Sequence, residues 1–186
     1  MEVMQHGFLD DELREKHLIE KTRKGDRNAF ELLINPYIKV LCNYIMFRVK
    51  NDTDANDIVQ ETMLSIWMSI ESFEYRSSFK TWVFSIARRR IVDFYRENKR
   101  NETLLLTNFE SIIISRDNFN ENIQRIDIEN VLLHLSKKET ELIHLVFQEQ
   151  LTYREISVVL NIPIGTVKSR MSSIKTKIKL LMNWEE

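Results

Sequence analysis

Glycine and proline are almost missing from this chain, with 3 Gly and 2 Pro among 186 residues. That is about 3%, where ordinary usage is roughly 12%. A sandwich or barrel of short strands reverses its chain too often to be built from so few turn-formers. Gly7, Gly25 and Gly165 are also too scattered to form a glycine-rich phosphate loop, which disfavours nucleotide-fold enzymes. Apolar residues instead recur every three or four positions, the spacing of a buried helix face. The expected fold class is therefore all-α, as two small helical domains joined by a flexible acidic linker, the C-terminal one containing a helix-turn-helix.

The first domain follows from three helical stretches. Asp26 can cap a helix through Phe30, Leu33, Ile34, Tyr37, Leu41, Tyr44, Ile45 and Val49, with Pro36 marking a kink or the start of a new helix. Thr53 or Asp54 can cap the next, whose apolar stripe is Ala55, Ile58, Val59, Met63, Ile66, Trp67 and Ile70; Asp57, Gln60 and Glu61 lie opposite. The third covers about residues 80–99. Residues 101–124 are polar, acidic and without a helical period, and read as the linker. Beyond it, Ile126, Ile128, Val131, Leu132 and Leu135 begin a second helical set. Ser136 and Glu139 then form a capping-box pattern ahead of Leu142, Ile143, Val146 and Phe147. Residues 1–23 read as an N-terminal extension, 24–100 as the first domain and 125–186 as the second.

Cys42 is the single cysteine, so neither a disulfide framework nor a cysteine-built zinc site is expected. The start of the chain is acidic and lacks a signal-peptide pattern, and nowhere do 18 apolar residues run together. A cytoplasmic protein with no direct membrane insertion is the expectation. His6, His17, His134 and His144 form no metal-ligand spacing, so no metal, no cofactor and no catalytic residue is expected.

A formal net charge of -1 conceals an uneven distribution. Residues 76–100 hold 8 basic and 2 acidic side chains, and residues 156–186 hold 5 and 2; the segments between and before them are net acidic. Two separated basic blocks suggest two surfaces for a polyanion.

The second block coincides with helix-turn-helix chemistry. Ile156 and Leu160 give a short apolar face, Asn161 can take the left-handed conformation that ends a helix, and Pro163 suits the start of the next. Val167, Met171, Ile174, Ile178 and Leu181 then mark the buried side of that second helix. Its other side presents Lys168, Ser169, Ser172, Ser173 and Thr176, suited to base edges or phosphates in a major groove, flanked by Arg170 and Lys175.

The first block is interleaved with aromatics: Phe73, Tyr75, Phe79, Trp82, Phe84, Phe94 and Tyr95 are seven of 18 in the chain. On a helix, Thr81, Ser85, Arg88, Arg89, Arg96 and Lys99 share one face. Unpaired bases need π surfaces and their backbone needs cations, so this segment suits single-stranded nucleic acid. The helix aromatics can equally be core. The loop Phe73-Glu74-Tyr75-Arg76-Ser77-Ser78 is the better place for direct base contact.

Four stretches in order, Asp57-Ile58-Val59-Gln60-Glu61-Thr62, Ser78-Phe79-Lys80-Thr81-Trp82-Val83-Phe84-Ser85-Ile86-Ala87-Arg88, Asp93-Phe94-Tyr95-Arg96 and Ile164-Gly165-Thr166-Val167-Lys168-Ser169-Arg170, resemble bacterial RNA polymerase sigma factors of the extracytoplasmic-function group of the sigma-70 family. The resemblance implies a promoter-specificity subunit that performs no chemistry. It implies that Asp57, Gln60 and Glu61 dock the clamp helices of the largest polymerase subunit, with the flap region as a further polymerase contact. Phe73, Tyr75, Arg76, Ser77, Ser78, Lys80, Trp82, Arg88, Arg89 and Arg96 would melt and hold the minus-ten element as a single strand. Thr166, Lys168, Ser169, Arg170, Ser172, Ser173 and Lys175 would read the minus-thirty-five element as duplex. The acidic linker would thread toward the active-site channel.

Many members of that group are held by an anti-sigma factor, often membrane-anchored, so such a partner is implied too. Arg89 stands where the family usually has Asn, and Arg90 where an apolar residue is common. By helical phase Arg90 points between Ile86 and Phe94, to snorkel or to meet a carboxylate such as Asp93. The rival readings are a free-standing helix-turn-helix regulator, which leaves the first domain unexplained, and a structural adaptor.

Overall fold

The computed structural model describes residues 2–102 and 134–181, and every element among them is helical. Apart from its first two residues, the expected linker lies outside the described residues, as do Ile126, Ile128, Val131 and Leu132. The chain runs α1 (Glu2–Arg23), α2 (Arg27–Arg48), α3 (Asp52–Ser69), a 3-10 turn (Ile70–Ser72) and α4 (Phe79–Glu102). After the undescribed segment come α5 (Lys137–Ile143), a π-helical turn (His144–Gln148), α6 (Tyr153–Leu160) and α7 (Ile164–Leu181).

Each boundary has a local cause. Gly25, at φ 83, reverses the chain between α1 and α2, and Asp26 caps α2 by accepting from the N–H of Ala29. Pro36 does not divide α2: it lies inside the helix on the exposed side, where solvent can take the carbonyl bond that a proline forgoes. Asn51 rather than Thr53 or Asp54 caps α3, its Oδ1 accepting from both of their N–H groups. Those residues serve in the first turn, where Asp54 also complements the helix dipole.

Helices α2, α3 and α4 surround a core in which Tyr44, Phe79, Phe84, Leu41, Ile45, Ile66 and Ile91 are almost wholly buried. Ile19 and Thr22 near the end of α1 are buried as well, and the hydroxyl of Tyr37 donates to Glu15 at 2.6 Å. Within the expected extension of residues 1–23, the last turns of α1 thus pack onto this core.

In the second set, the expected capping box is present, with Ser136 and Glu139 each satisfying the other's backbone N–H. The π turn that follows shifts the helical phase. Phe147, expected on the apolar stripe, is consequently 65% exposed, and Leu145 is buried in its place. A further capping box, Thr152 with Glu155, opens α6. Asn161 ends α6 at φ 51 and ψ 51, as the left-handed cap the sequence predicts. Val167, Met171 and Ile174 of α7 are buried against α5 and α6.

The two sets do not sit apart. Buried residues from Ile19 to Ile174 form one continuous apolar cluster, and α4 packs directly on α6.

Candidate nucleic-acid and polymerase interfaces

On α3, burial of Ala55, Ile58, Thr62 and Ile66 turns the opposite side outward, and Asp57, Gln60 and Glu61 are all exposed there. The same side continues into Leu64 and Met68, which are apolar yet 58% and 73% exposed. These two were missed from the sequence, although the signal was present: both fall off the apolar stripe. They line a shallow groove between α3 and α4, together with Glu61, Ser65, Ile86 and Arg90. Arg90 meets a hydroxyl there, its Nε donating to Ser65 Oγ at 2.8 Å, and not the carboxylate of Asp93. Asp93 instead pairs with Arg96 at 3.5 Å.

The segment before α4 is arranged around aromatic packing. Phe73, expected to touch bases, is 3% exposed, with its ring 5.6 Å from Phe79 and 5.1 Å from Trp82. Its apolar surface is more stable inside than at a loop tip, so it supports the loop from beneath. Trp82 is half-buried in the same stack. Glu74, Tyr75, Arg76 and Ser78 are exposed and Ser77 is half-exposed, and of the expected base-contacting residues Tyr75, Arg76 and Ser77 are the outward ones with no bond to the second set of helices. Arg76 pairs with its neighbour Glu74 at 2.6 Å, both largely in solvent. Tyr75 has a positive φ of 57, a conformation that side-chain-bearing residues rarely adopt. Burial, then the hydrogen bond and charge of Glu20, push its phenol up, so it remains a donor at neutral pH.

The basic face of α4 is partly covered by the second set of helices. Glu155, in the first turn of α6, accepts from Thr81 at 3.0 Å and Ser78 at 3.1 Å. Burial pushes the Glu155 carboxyl up, but bonds from Thr152, Thr81 and Ser78 outweigh it and hold the group below its ordinary value. The ammonium of Lys80 donates to the carbonyl of Glu149 at 2.6 Å, just after the π turn. Arg88 and Arg48 each approach the buried carboxylate of Glu141 at 3.6 Å, and Tyr44 donates to it at 2.9 Å. Phe47 stacks on His144 with centroids 4.2 Å apart. Among the minus-ten residues expected from the sequence, Ser78, Lys80 and Arg88 therefore face α5 and α6, while Arg89 and Arg96 are exposed. No pattern in the sequence announces these pairings, because the partners lie 53 to 97 residues apart.

The outer side of α7 shows Lys168, Ser169, Ser172, Ser173 and Lys175 exposed, with Thr166 and Arg170 half-buried at the edge. Ser169 returns its hydroxyl to the carbonyl of Thr166 at 3.1 Å. Lys177, further along, bonds Glu139 at 2.5 Å and fixes α7 against the start of α5. Among the described residues, no helix is long and apolar enough to cross a membrane.

This arrangement defines a two-part, all-helical protein that combines a helix-turn-helix with an aromatic and basic helix preceded by an exposed loop. The family profile for sigma-70 region 2 matches residues 33–101, and that for sigma-70 region 4 matches residues 125–178. Relatives extend over nearly the whole chain. The ECF RNA polymerase sigma factor SigW of Bacillus subtilis strain 168 is 28% identical over 172 residues, spanning 86% of this chain and 92% of its own. The ECF RNA polymerase sigma-E factor of Haemophilus influenzae is 28% identical over 191 residues, spanning 94% and 100%. In fold, the chain is similar to the sigma factor RpoE in its co-crystal structure with the anti-sigma factor NepR from Bartonella quintana, at TM-score 0.69 and 24% identity over 84% of this chain and 98% of that one. CnrH, in complex with the cytosolic domain of CnrY, aligns at TM-score 0.64 and 19% identity over 93% and 99%. The chain belongs to the extracytoplasmic-function group of sigma-70 RNA polymerase sigma factors.

Proposed function

We propose that this chain gives bacterial RNA polymerase its promoter specificity by reading two DNA elements with two surfaces, performing no chemistry itself. The observation that carries this reading is the pairing, in one chain, of a helix-turn-helix whose outer face holds Lys168, Ser169, Ser172, Ser173 and Lys175 with an exposed loop ahead of a basic helix. The first suits duplex in the major groove, the minus-thirty-five element. The second suits a melted minus-ten strand, with Tyr75, Arg76 and Ser77 as its outward residues and Trp82 and Phe73 as their support. The domains are taken as residues 24–100 and 125–186, with the end of α1 joined to the first.

Asp57, Gln60 and Glu61 form the polymerase-docking face, and the exposed Leu64 and Met68 extend it with apolar area. An acidic rim beside apolar anchors fits a coiled polymerase element with basic side chains. The flap region is a second contact, and service to RNA polymerase implies a cytoplasmic setting. An inhibitory protein partner is also proposed, in keeping with the anti-sigma factor NepR bound to one structural neighbour.

Reading both elements at once requires the two surfaces to separate. Elements two or more helical turns apart lie roughly 70 Å or more from each other on duplex DNA, whereas α4 and α6 are in direct contact. Polymerase binding therefore selects an opened form in which Lys80 and Arg88 are released.

The test is run-off transcription with bacterial core polymerase on fragmented DNA from the source organism. Discrete transcripts that depend on the protein are expected; none, with tight salt-sensitive binding of the isolated protein to duplex, would establish a free-standing regulator instead. Replacing Asp57 or Glu61 by Lys should reverse charge on the docking face and abolish capture of core polymerase in a pull-down. Retained capture would remove that face from the assignment.

A further inference from the structure

The last turn of α1 converges on the loop that precedes α4. Arg23 donates through Nη2 to the carbonyl of Phe73 and through Nε to the carbonyl of Ile70 at 3.4 Å, and thereby brackets the 3-10 turn. Its guanidinium carbon also lies 5.3 Å from the ring centroid of Tyr75. Glu20, one turn earlier, pairs with Arg23 at 2.7 Å and accepts the Tyr75 hydroxyl at 3.1 Å. Two side chains of one helix thus hold a turn and an aromatic residue some 50 positions away.

What they hold is strained and outward. Tyr75 has a positive φ of 57 and is 42% exposed, so neither backbone preference nor burial keeps its ring in place. A conformation of that kind persists only where its surroundings over-determine it. Here the surroundings are Arg23, Glu20 and the ring of Phe73, 4.9 Å from that of Tyr75. The anchor is itself firm, since Ile19 and Thr22 fix this part of α1 in the core. A base-receiving ring held in advance loses less freedom on binding than one that must be ordered by the base.

We propose that Glu20 and Arg23 are positioning residues for promoter recognition: through Tyr75 and the Ile70 and Phe73 carbonyls, α1 presets the loop to receive an extruded base. This rests on the reading that the loop contacts the minus-ten strand. It assigns a role to α1, which lies before both stretches matched by the family profiles. Arg is required rather than any cation, because only a guanidinium bridges two carbonyls while lying over a ring.

The experiment uses holoenzyme assembled from the full chain and bacterial core polymerase. The probe is a single-stranded DNA pool with ten random central positions, selected by the holoenzyme and sequenced. The wild type should enrich a motif. Tyr75→Ala should lower enrichment at one or two positions about tenfold, within the range for a lost base–aromatic stack. Arg23→Ala and Arg23→Lys should lower it at the same positions to a similar extent, and adding Arg23→Ala to Tyr75→Ala should cost nothing more. Glu20→Gln, which keeps the acceptor, should enrich like the wild type, whereas the exposed substitution Glu20→Ala should weaken the same positions. Glu20→Ala also decides the matter should Arg23→Ala fold poorly. If the Arg23 and Glu20 variants enrich the wild-type motif undiminished while Tyr75→Ala does not, the proposal is overturned and the loop reading stands. If Tyr75→Ala is equally undiminished, or no motif emerges, the loop reading fails and the proposal fails with it.

Discussion

The hydroxyl of Tyr44, on α2, donates to Glu141, on α5, at 2.9 Å, with both residues out of solvent. Arg48 and Arg88 bring two positive charges to the same carboxylate from α2 and α4. Burial first, then the charge of Glu141, pushes the Tyr44 phenol well up and keeps it a donor. Interfaces between units of one chain tend to be polar and exchangeable, and a buried ion cluster of this kind contributes little net stability while it is complete.

Removing one member is different. Glu141→Ala leaves the half-buried guanidinium groups of Arg48 and Arg88 without their anion, a change whose cost reaches about 3–5 kcal/mol only for a fully buried pair that cannot open. Under the proposed opening the strain is relieved by undocking, so the predicted outcome is separation of the two units with each still folded. Energy transfer between dyes on α3 and α7 should fall, and the radius of gyration from solution scattering should rise. An unchanged scattering profile would show that Glu141 does not hold the units together.

The outer face of α7 makes a second prediction. If Lys168 and Arg170 each neutralise one phosphate, replacing either by Ala should reduce the salt slope of holoenzyme binding to a cognate promoter by about 0.9. Transcription at limiting enzyme should fall with it. Ser172→Ala and Ser173→Ala should alter base preference and leave the slope alone, because hydroxyls carry no counterion-linked charge. Slopes unchanged for both Lys168→Ala and Arg170→Ala would move the duplex contact to another face.

A third prediction concerns acid. The hydrogen bond from Lys177, followed by that from the Ser136 backbone, holds the Glu139 carboxyl down to about 2. Since the folded value is depressed, its contribution is complete above the unfolded carboxyl value of about 4.3 and disappears as pH falls through about 2. Glu139→Gln should remove that part, so the variant loses less stability than the wild type between pH 5 and pH 2. The comparison is of denaturant midpoints across that window, and parallel curves for the two proteins would refute the linkage.

Much of the fold was legible because its causes are local. Asp26, Ser136 with Glu139, and Asn161 act on backbone groups within a few residues, and their side chains carry the signal. Thr152 and Glu155 carry the same capping signature as Ser136 and Glu139, but they fall inside a stretch already explained as a helix-turn-helix. Phe147 was misplaced because one π turn, invisible in apolar spacing, rotates everything after Ile143.

At the candidate site the division is the same. Asp57, Gln60 and Glu61 were legible as one face because helical phase alone puts them there. Phase could not tell that Phe73 turns inward, since a loop has none, and only the ring packing with Phe79 and Trp82 decides it. Nor could it show Lys80 meeting the Glu149 carbonyl, a contact between elements with no shared period.

With the ammonium of Lys80 on a peptide carbonyl and the guanidinium of Arg88 beside Glu141, the docked chain offers fewer cations to passing duplex. A chromosome is an immense reservoir of decoy phosphates, and each cation withheld from it removes a factor from indiscriminate adsorption that grows as salt falls. The folded-over arrangement thus works as camouflage. On the proposed function, it withholds these two cations from bulk DNA before assembly and returns them when polymerase binding selects the opened form, while the outer face of α7 stays open to duplex throughout.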